Sequence, residues 1–110
     1  MEVFFQTEKL AKQLGQDRSR VKAFGPAGAK RIALRLQQLG AARSLEDMKA
    51  MPGRCHELTG DLRGHLAVDV HQPYRLIFRP TDNPSPTKAD GGLDWTAVDS
   101  ITVTEITDYH

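Results

Sequence analysis

Apolar residues recur with helical spacing in the first half of the chain and with strand spacing in the second half. The clearest helix begins after Pro26, and Pro52-Gly53 separates the helical half from the strand half. Five apolar positions recur along this helix at i, i+3, i+4, i+7 and i+10: Ala29, Ile32, Ala33, Leu36 and Leu39. Its opposite side is predicted to be a basic and amide surface made of Lys30, Arg31, Arg35, Gln37 and Gln38.

Shorter elements flank this helix. Residues 3–5 are apolar and aromatic and predict a short edge strand, after which Thr7 can cap a first helix. The stretch 16–25 is polar and basic, and it has no readable period. Residues 44–50 predict another short helix, because Ser44 is followed three residues later by Asp47.

Alternation with a period of two replaces helical spacing after Gly53. Residues 66–70 predict one strand, Gln72-Pro73 a tight connection, and residues 74–79 the next strand. In this second strand Tyr74, Leu76 and Phe78 share one face, and the opposite face carries Arg75, Ile77 and Arg79. Residues 100–106 predict the last strand, with Ile101 and Val103 opposed to Thr102, Thr104 and Ile106.

A long loop interrupts the strand half. Residues 80–94 contain three prolines and two glycines without any period, and Trp95 is predicted to pin the far end of this loop to the body of the protein. Helices followed by strands predict an α+β fold with an antiparallel sheet. A chain of 110 residues is long enough for one core, so residues 1–110 are expected to form a single domain.

Charge is unevenly distributed along the chain although the net charge is only +1. Residues 1–53 carry ten Lys and Arg against five Asp and Glu, whereas the remainder carries five against nine. The first half can therefore present a basic face to a polyanion, or simply a solvated helix surface. The sequence has no apolar run of transmembrane length and no signal-peptide pattern, so we expect a cytoplasmic protein without a membrane partner.

The strand half contains the residues that suit chemistry on a phosphodiester. The single Cys55 cannot form an internal disulfide, and neither metal-ligand spacing nor a nucleotide-binding glycine loop is present, so we expect no metal and no cofactor. Arginine binds phosphate and stabilises growing negative charge, and histidine exchanges protons near neutral pH. The candidates are Arg54, His56, Arg63, His65, His71, Arg75, Arg79 and His110, beside Tyr74 and Tyr109. Each of these arginines and histidines can equally be an ordinary surface or structural residue.

Three short motifs, in this order and spacing, resemble the HigB branch of the RelE/ParE superfamily, the toxins of type II toxin–antitoxin modules. The motifs are Leu58-x-Gly60-Asp61-x-x-Gly64, then Tyr74-Arg75-Leu76-Ile77-Phe78, and finally Asp108-Tyr109-His110. The resemblance covers nearly the whole chain. It implies a RelE-like fold in which N-terminal helices pack on an antiparallel sheet of four or five strands, with the site on the concave face of the sheet.

The resemblance also implies a function. Members of this branch are ribosome-dependent endoribonucleases that cut mRNA without a metal and are neutralised by a HigA-like helix-turn-helix antitoxin. By this resemblance Arg75 stabilises the scissile phosphate, His110 transfers a proton or holds the RNA, and His71 replaces an arginine at a phosphate or acts as the base. The other residues expected to bind RNA are Arg54, Arg63, His65, Tyr74, Arg79 and Tyr109.

One departure from the family pattern leaves alternatives open. Many members have lysine where this chain has Thr59, which carries no charge, so Arg54, Arg63 or His65 would have to compensate. A catalytically weak member that only binds its antitoxin is therefore one alternative. The other is a ParE-like toxin that inhibits DNA gyrase and cleaves no RNA, because one fold can carry different functions.

Overall fold

Two α-helices and a five-stranded sheet form the two layers of the protein. The structure, a computed structural model, describes residues 1–108. The helices and strands are β1 (Glu2–Phe5), α1 (Glu8–Gly15), α2 (Asp17–Ala41), β2 (His56–Glu57), β3 (Leu66–Asp69), β4 (Tyr74–Pro80) and β5 (Ser100–Asp108). Short 3-10 helices cover Leu45–Ala50, Gly60–Leu62 and Trp95–Ala97. The predicted α+β class is confirmed, and none of the helices within residues 1–108 is long and apolar enough to cross a membrane.

Helix α2 is longer than predicted because it continues across a kink. Gly25 has φ 76°, and Pro26 follows it, so the chain turns sharply between two helical segments. The stretch without a readable period forms the first of these segments. At the other end, the N-terminal ammonium of Met1 donates to the carbonyl of Gly40 at 2.9 Å and also contacts the carbonyl of Ala42. This positive group satisfies carbonyls that every helix leaves unpaired at its C-terminus.

Arg35 lies on the buried side of α2, so its prediction as a surface residue was wrong. Its side chain packs on the same stripe as Ile32 and Leu39, and only 4% of its surface is exposed. The spacing i, i+3, i+7 places these three residues on one helical face. In the sequence this face is not recognised, because arginine is usually a surface residue. Nε of Arg35 donates to the backbone carbonyl of Asp69 at 2.8 Å.

The sheet is mixed, with the strand order β1-β5-β4-β3-β2. Strand β1 is an edge strand, as predicted, but it runs parallel to β5, so the prediction of a wholly antiparallel sheet was wrong. Parallel neighbours need a long connection, and here nearly the whole chain separates the two strands. The face that packs on the helices buries Leu76, Phe78 and Val103.

A β-bulge in β5 corrects the predicted faces of the last strand. Ile77 pairs with Glu105 and Phe78 with Val103, so Thr104 is an extra residue in β5. The alternation shifts by one after this point, and Ile106 packs against the core instead of joining the threonines. As a result, Thr107 lies directly opposite Arg75.

The loop 80–94 is confirmed as irregular, with one isolated bridge between Thr87 and Leu93. Trp95 fixes its far end, since the indole Nε1 donates to Oε2 of Glu57 at 3.0 Å. The ammonium of Lys49 lies 4.8 Å from the centre of the Trp95 ring, which adds a cation–π contact. The predicted pinning role of Trp95 is thus confirmed.

Candidate functional site

The sheet face that points away from the helical layer carries the predicted arginines, and we call it the arginine face. Strand alternation places Arg75, Ile77 and Arg79 of β4 on this face, as predicted, with Tyr74, Leu76 and Phe78 on the other. Ile77 is fully buried here, so the face has an apolar floor as well as charged side chains. The aliphatic part of an arginine side chain packs on such an apolar surface, so the side chain is positioned by packing as well as by its charge.

Arg75 occupies a central position on the arginine face. Strand β4 lies between β3 and β5, and Arg75 pairs with Asp69 on one side and with Thr107 on the other. Directly opposite residues have their Cβ atoms about 5 Å apart, so Asp69 and Thr107 are the nearest cross-strand neighbours of Arg75 on this face. Arg75 is half-buried.

Arg54 approaches the same place from the loop before β2. It follows Gly53, which has φ 108°, and itself has φ 52°, the left-handed region that non-glycine residues rarely adopt. Nε of Arg54 lies 2.7 Å from Oδ2 of Asp69, in an ion pair whose arginine side chain is 70% exposed. Arg54 and Arg75 therefore share one carboxylate neighbour.

His56 is a candidate that sequence reasoning named but did not select. It pairs directly with Ala67 of β3, which is two residues from Asp69, so His56 faces the same way as Asp69 and Arg75. Its Nδ1 lies 2.6 Å from the backbone carbonyl of Arg54. A carbonyl can only accept, so Nδ1 carries the hydrogen and Nε2 of the neutral ring is the nitrogen that can take up a proton. In the sequence, residues 54–58 alternate only weakly, too weakly to assign a face to His56.

Arg79 lies further along β4 on the arginine face, opposite Thr102. Its Nη1 donates to the backbone carbonyl of Pro80 at 3.2 Å, and the residue lines a polar cavity of about 370 Å³. His65, just before β3, is half-buried, and its Nδ1 has no hydrogen-bond partner within the described part of the chain. Arg63 is exposed after the 3-10 helix Gly60–Leu62, so Arg63 and His65 lie outside the strand positions that carry Arg75 and Arg79.

Tyr74 and His71 lie towards the helical layer. The Tyr74 ring packs edge-to-face on Phe24 with centroids 5.4 Å apart, on the side of β4 opposite to Arg75. His71 is exposed in the turn between β3 and β4, with Cδ2 3.8 Å from where a Cβ on Gly28 would lie. The roles predicted for both residues stay predictions, and neither side chain shares the arginine face.

Two predicted site residues, Tyr109 and His110, lie outside the described residues. The strand that leads to them ends at Asp108, which pairs with Tyr74. Thr59 is exposed at the start of the helix Gly60–Leu62, and its hydroxyl makes no capping hydrogen bond. Within residues 1–108, no three His, Cys, Asp or Glu side chains form a group that could hold a metal ion.

Two groups near the site have pKa values shifted by burial. Burial lowers the pKa of Arg35, and the nearby charge of Arg31 lowers it further, while Asp69 acts in the opposite direction. Burial also raises the pKa of the Cys55 thiol to about 12, although Cys55 directly precedes His56. A thiol with this pKa stays protonated near neutral pH, so Cys55 is no nucleophile.

The side chains of the arginine face can bind a phosphate group and exchange a proton with a hydroxyl. The guanidinium groups of Arg54 and Arg75 can bind phosphate oxygens and stabilise the charge of a phosphorane. His56 has a ring nitrogen that can take a proton from a hydroxyl. Asp69 adds a negative charge that is ion-paired with Arg54, and this charge opposes an incoming anion.

Comparisons with known proteins show which fold this is. No protein-family model matches the chain, and no curated protein matches it either. A YoeB/ParE toxin from Agrobacterium tumefaciens has a similar structure, with a TM-score of 0.59 and 11% identity over the whole of both chains. A chain of the YoeB–YefM complex from Staphylococcus aureus has a TM-score of 0.57 and 14% identity, over the whole of this chain and 97% of that one. The protein therefore has the fold of the YoeB/ParE toxins, with helices packed on one face of a five-stranded sheet.

Proposed function

We propose that this protein is the toxin of a type II toxin–antitoxin pair and that it cuts mRNA on the ribosome. The observation that carries the proposal is the arginine face, where Arg75, Arg54 and His56 gather on a sheet of the YoeB/ParE toxin fold. The reaction is metal-independent cleavage through the ribose 2′-hydroxyl, since arginine and histidine side chains suffice for it. Cytoplasm is the compartment where a protein with this substrate would act.

The proposed roles follow from where each side chain lies. Arg75 stabilises the phosphorane, because it rises from a buried floor at the centre of the sheet. Arg54 supplies a second positive charge, and His56 accepts the proton of the 2′-hydroxyl through Nε2. Arg79, Arg63 and His65 contact flanking phosphates, and His110 remains the proposed second proton carrier.

Two macromolecular partners complete the proposal. The ribosome is bound through the exposed basic residues of the helical half, to which the inward-turned Arg20 and Arg35 do not contribute. An antitoxin of the HigA-like helix-turn-helix type binds and neutralises the protein. The similarity to a chain of the YoeB–YefM complex supports an antitoxin partner, and the helix-turn-helix type is the proposal made from the HigB resemblance.

The test compares the wild-type protein with Arg75→Ala and Arg75→Lys in cells and in a ribosome-dependent cleavage assay. Wild type should arrest growth and produce mRNA cuts that require ribosomes. Arg75→Ala should lose roughly 100-fold or more in cleavage rate, as when one charge-stabilising donor is removed from an active site. Lysine should restore only part of the rate, since it lacks the planar fork of arginine.

Lys88→Ala is the matched control, because it removes an exposed positive charge from the loop 80–94. It should keep wild-type cleavage, and all variants should melt at the wild-type temperature. Full toxicity of Arg75→Ala would refute the proposed site. Growth arrest without mRNA cuts, together with inhibited DNA supercoiling, would instead establish the gyrase-inhibiting alternative that a YoeB/ParE fold also permits.

A further inference from the structure

We propose that Asp69 is the positioning residue of the site, holding Arg54 beside Arg75 so that two guanidinium groups engage one phosphate. This inference rests on the proposed ribonuclease function and adds a residue that the family motifs do not contain. Asp69 ends β3, pairs directly with Arg75 of β4 and forms an ion pair with Arg54. Asp69 is thus both the cross-strand neighbour of Arg75 and the ion-pair partner of Arg54.

The backbone of Asp69 is fixed from two directions. Its N–H donates to the carbonyl of Gly53 at 2.8 Å, and its carbonyl accepts from Nε of Arg35 at 2.8 Å. Arg35 is itself buried in α2, where Nη1 also donates to Oε1 of Gln38 at 3.1 Å. Asp69 therefore connects the helical layer, the loop before β2 and the arginine face.

The loop that carries Arg54 depends on these same contacts. Gly53 has φ 108° and packs closely against Arg35 and Val68. The space at this position is too small for any residue with a side chain. Arg54 then takes φ 52°, which directs it back towards β3. The hydrogen bond from Asp69 to Gly53 holds this backbone in place.

The side chain of Asp69 completes the arrangement. Arg54 is mostly exposed, and a long exposed arginine samples many rotamers when nothing restrains it. The contact from its Nε to Oδ2 of Asp69 at 2.7 Å fixes the plane of the guanidinium. Arg54 is thereby oriented before substrate binds, and the ordering does not have to occur in the transition state.

The same carboxylate has a second effect of opposite sign. A negative charge close to Arg75 repels the phosphate that the arginines attract, so Asp69 weakens ground-state binding of RNA while it orients Arg54 for catalysis. Replacing Asp69 with asparagine removes the charge but keeps the size of the side chain and all the backbone contacts. Cleavage by Asp69→Asn should therefore slow while RNA binding does not weaken, which a purely structural role would not produce.

The experiment measures single-turnover cleavage of ribosome-bound mRNA at increasing protein concentration, with wild type, Asp69→Asn and Arg54→Ala. Binding is measured separately with an mRNA that carries a 2′-deoxy nucleotide at the cut site. Asp69→Asn should cleave roughly 2- to 5-fold more slowly at saturation, the range expected when an ion pair with a largely exposed arginine is lost. It should bind the deoxy mRNA as tightly as wild type or more tightly. The matched control Asp99→Asn, an exposed carboxylate before β5, should leave both quantities unchanged.

The double variant Arg54→Ala/Asp69→Asn tests whether Asp69 acts through Arg54. The two rate losses should not add, and the double variant should cleave about as slowly as Arg54→Ala. Wild-type cleavage by Asp69→Asn, weaker binding in parallel with the slower rate, or additive losses would each overturn the positioning role. If the wild-type protein cuts no mRNA, or if Arg75→Ala cuts as wild type does, the proposed function itself fails and this role fails with it.

Discussion

Gly53→Ala tests the close packing that supports the arginine face. A Cβ on Gly53 would lie 2.8 Å from Nε of Arg35 and 2.8 Å from Cγ2 of Val68. Neither neighbour can easily move, because Val68 is fully buried in β3 and Arg35 is tied to the carbonyl of Asp69 at 2.8 Å. The substitution therefore adds a methyl group where both neighbours are fixed.

Two costs combine in this variant. A φ of 108° is accessible to glycine but strained for alanine, at about 1–3 kcal/mol. Overpacking a fixed interior by one methyl group costs about 1–3 kcal/mol more. The free energy of unfolding should therefore fall by about 2–6 kcal/mol, a large part of the roughly 5–15 kcal/mol that a domain has in total. The melting temperature should fall by about 8–24 °C, at about 4 °C for each kcal/mol.

Chemical denaturation followed by circular dichroism measures this loss, with Gly40→Ala as the matched control. A Cβ on Gly40 near the end of α2 would meet nothing within 4 Å, so the same substitution there should be neutral or stabilise by up to about 1 kcal/mol. The two glycines should thus respond with opposite signs. An unfolding midpoint of Gly53→Ala at or above that of wild type would refute the packing described for Arg35.

Two further predictions concern residues around the site. Because burial raises the pKa of Cys55 to about 12, the folded protein should react with iodoacetamide far more slowly than the denatured protein at mildly alkaline pH. Below the pKa of an unfolded cysteine this thiol should not change the free energy of unfolding. As the pH rises from there towards 12, the free energy of unfolding should fall, because the unfolded chain loses the thiol proton first. Alkylation of the folded protein at the rate of a free thiol would contradict the prediction. Glu57→Ala removes the acceptor for the Trp95 indole, so Trp95 emission should shift to longer wavelength and protease should cut the loop 80–94 faster, whereas Glu2→Ala should change neither. Wild-type emission and proteolysis of Glu57→Ala would show that another contact pins the loop.

The sequence predicts those parts of the fold that depend on local periodicity. Alternation alone places Arg75 and Arg79 on one face of β4, and helical spacing finds the second segment of α2. It misassigns Arg35, whose type suggests solvent although its position lies on the buried stripe. The sequence also does not reveal the bulge at Thr104. Residues before and after Thr104 both alternate, so nothing in the sequence shows that one residue is left unpaired between them.

The site needs tertiary information that no local pattern contains. Asp69 is fifteen residues from Arg54, and their ion pair exists only because the loop before β2 folds back over the end of β3. His56 joins the arginine face through its pairing with Ala67, in a strand of two residues that is too short to show alternation. Cross-strand neighbours of this kind follow from register, and register is set by the whole sheet.

The resemblance to HigB toxins implies a lysine at the position of Thr59, and Arg54 is placed where it can supply that charge. Arg54, Arg63 and His65 are the candidates to replace that charge. Arg63 is exposed after a 3-10 helix, and His65 lies just before β3, at the end of the strand opposite to Asp69. Arg54 alone among the three is held against the carboxylate that pairs with Arg75 in the sheet. A bidentate guanidinium binds phosphate at least as well as a lysine ammonium. We therefore infer that Arg54 supplies the positive charge that Thr59 does not. Arg54→Ala should then cost this chain more cleavage activity than Thr59→Lys restores to it, and the reverse order would assign the compensation elsewhere.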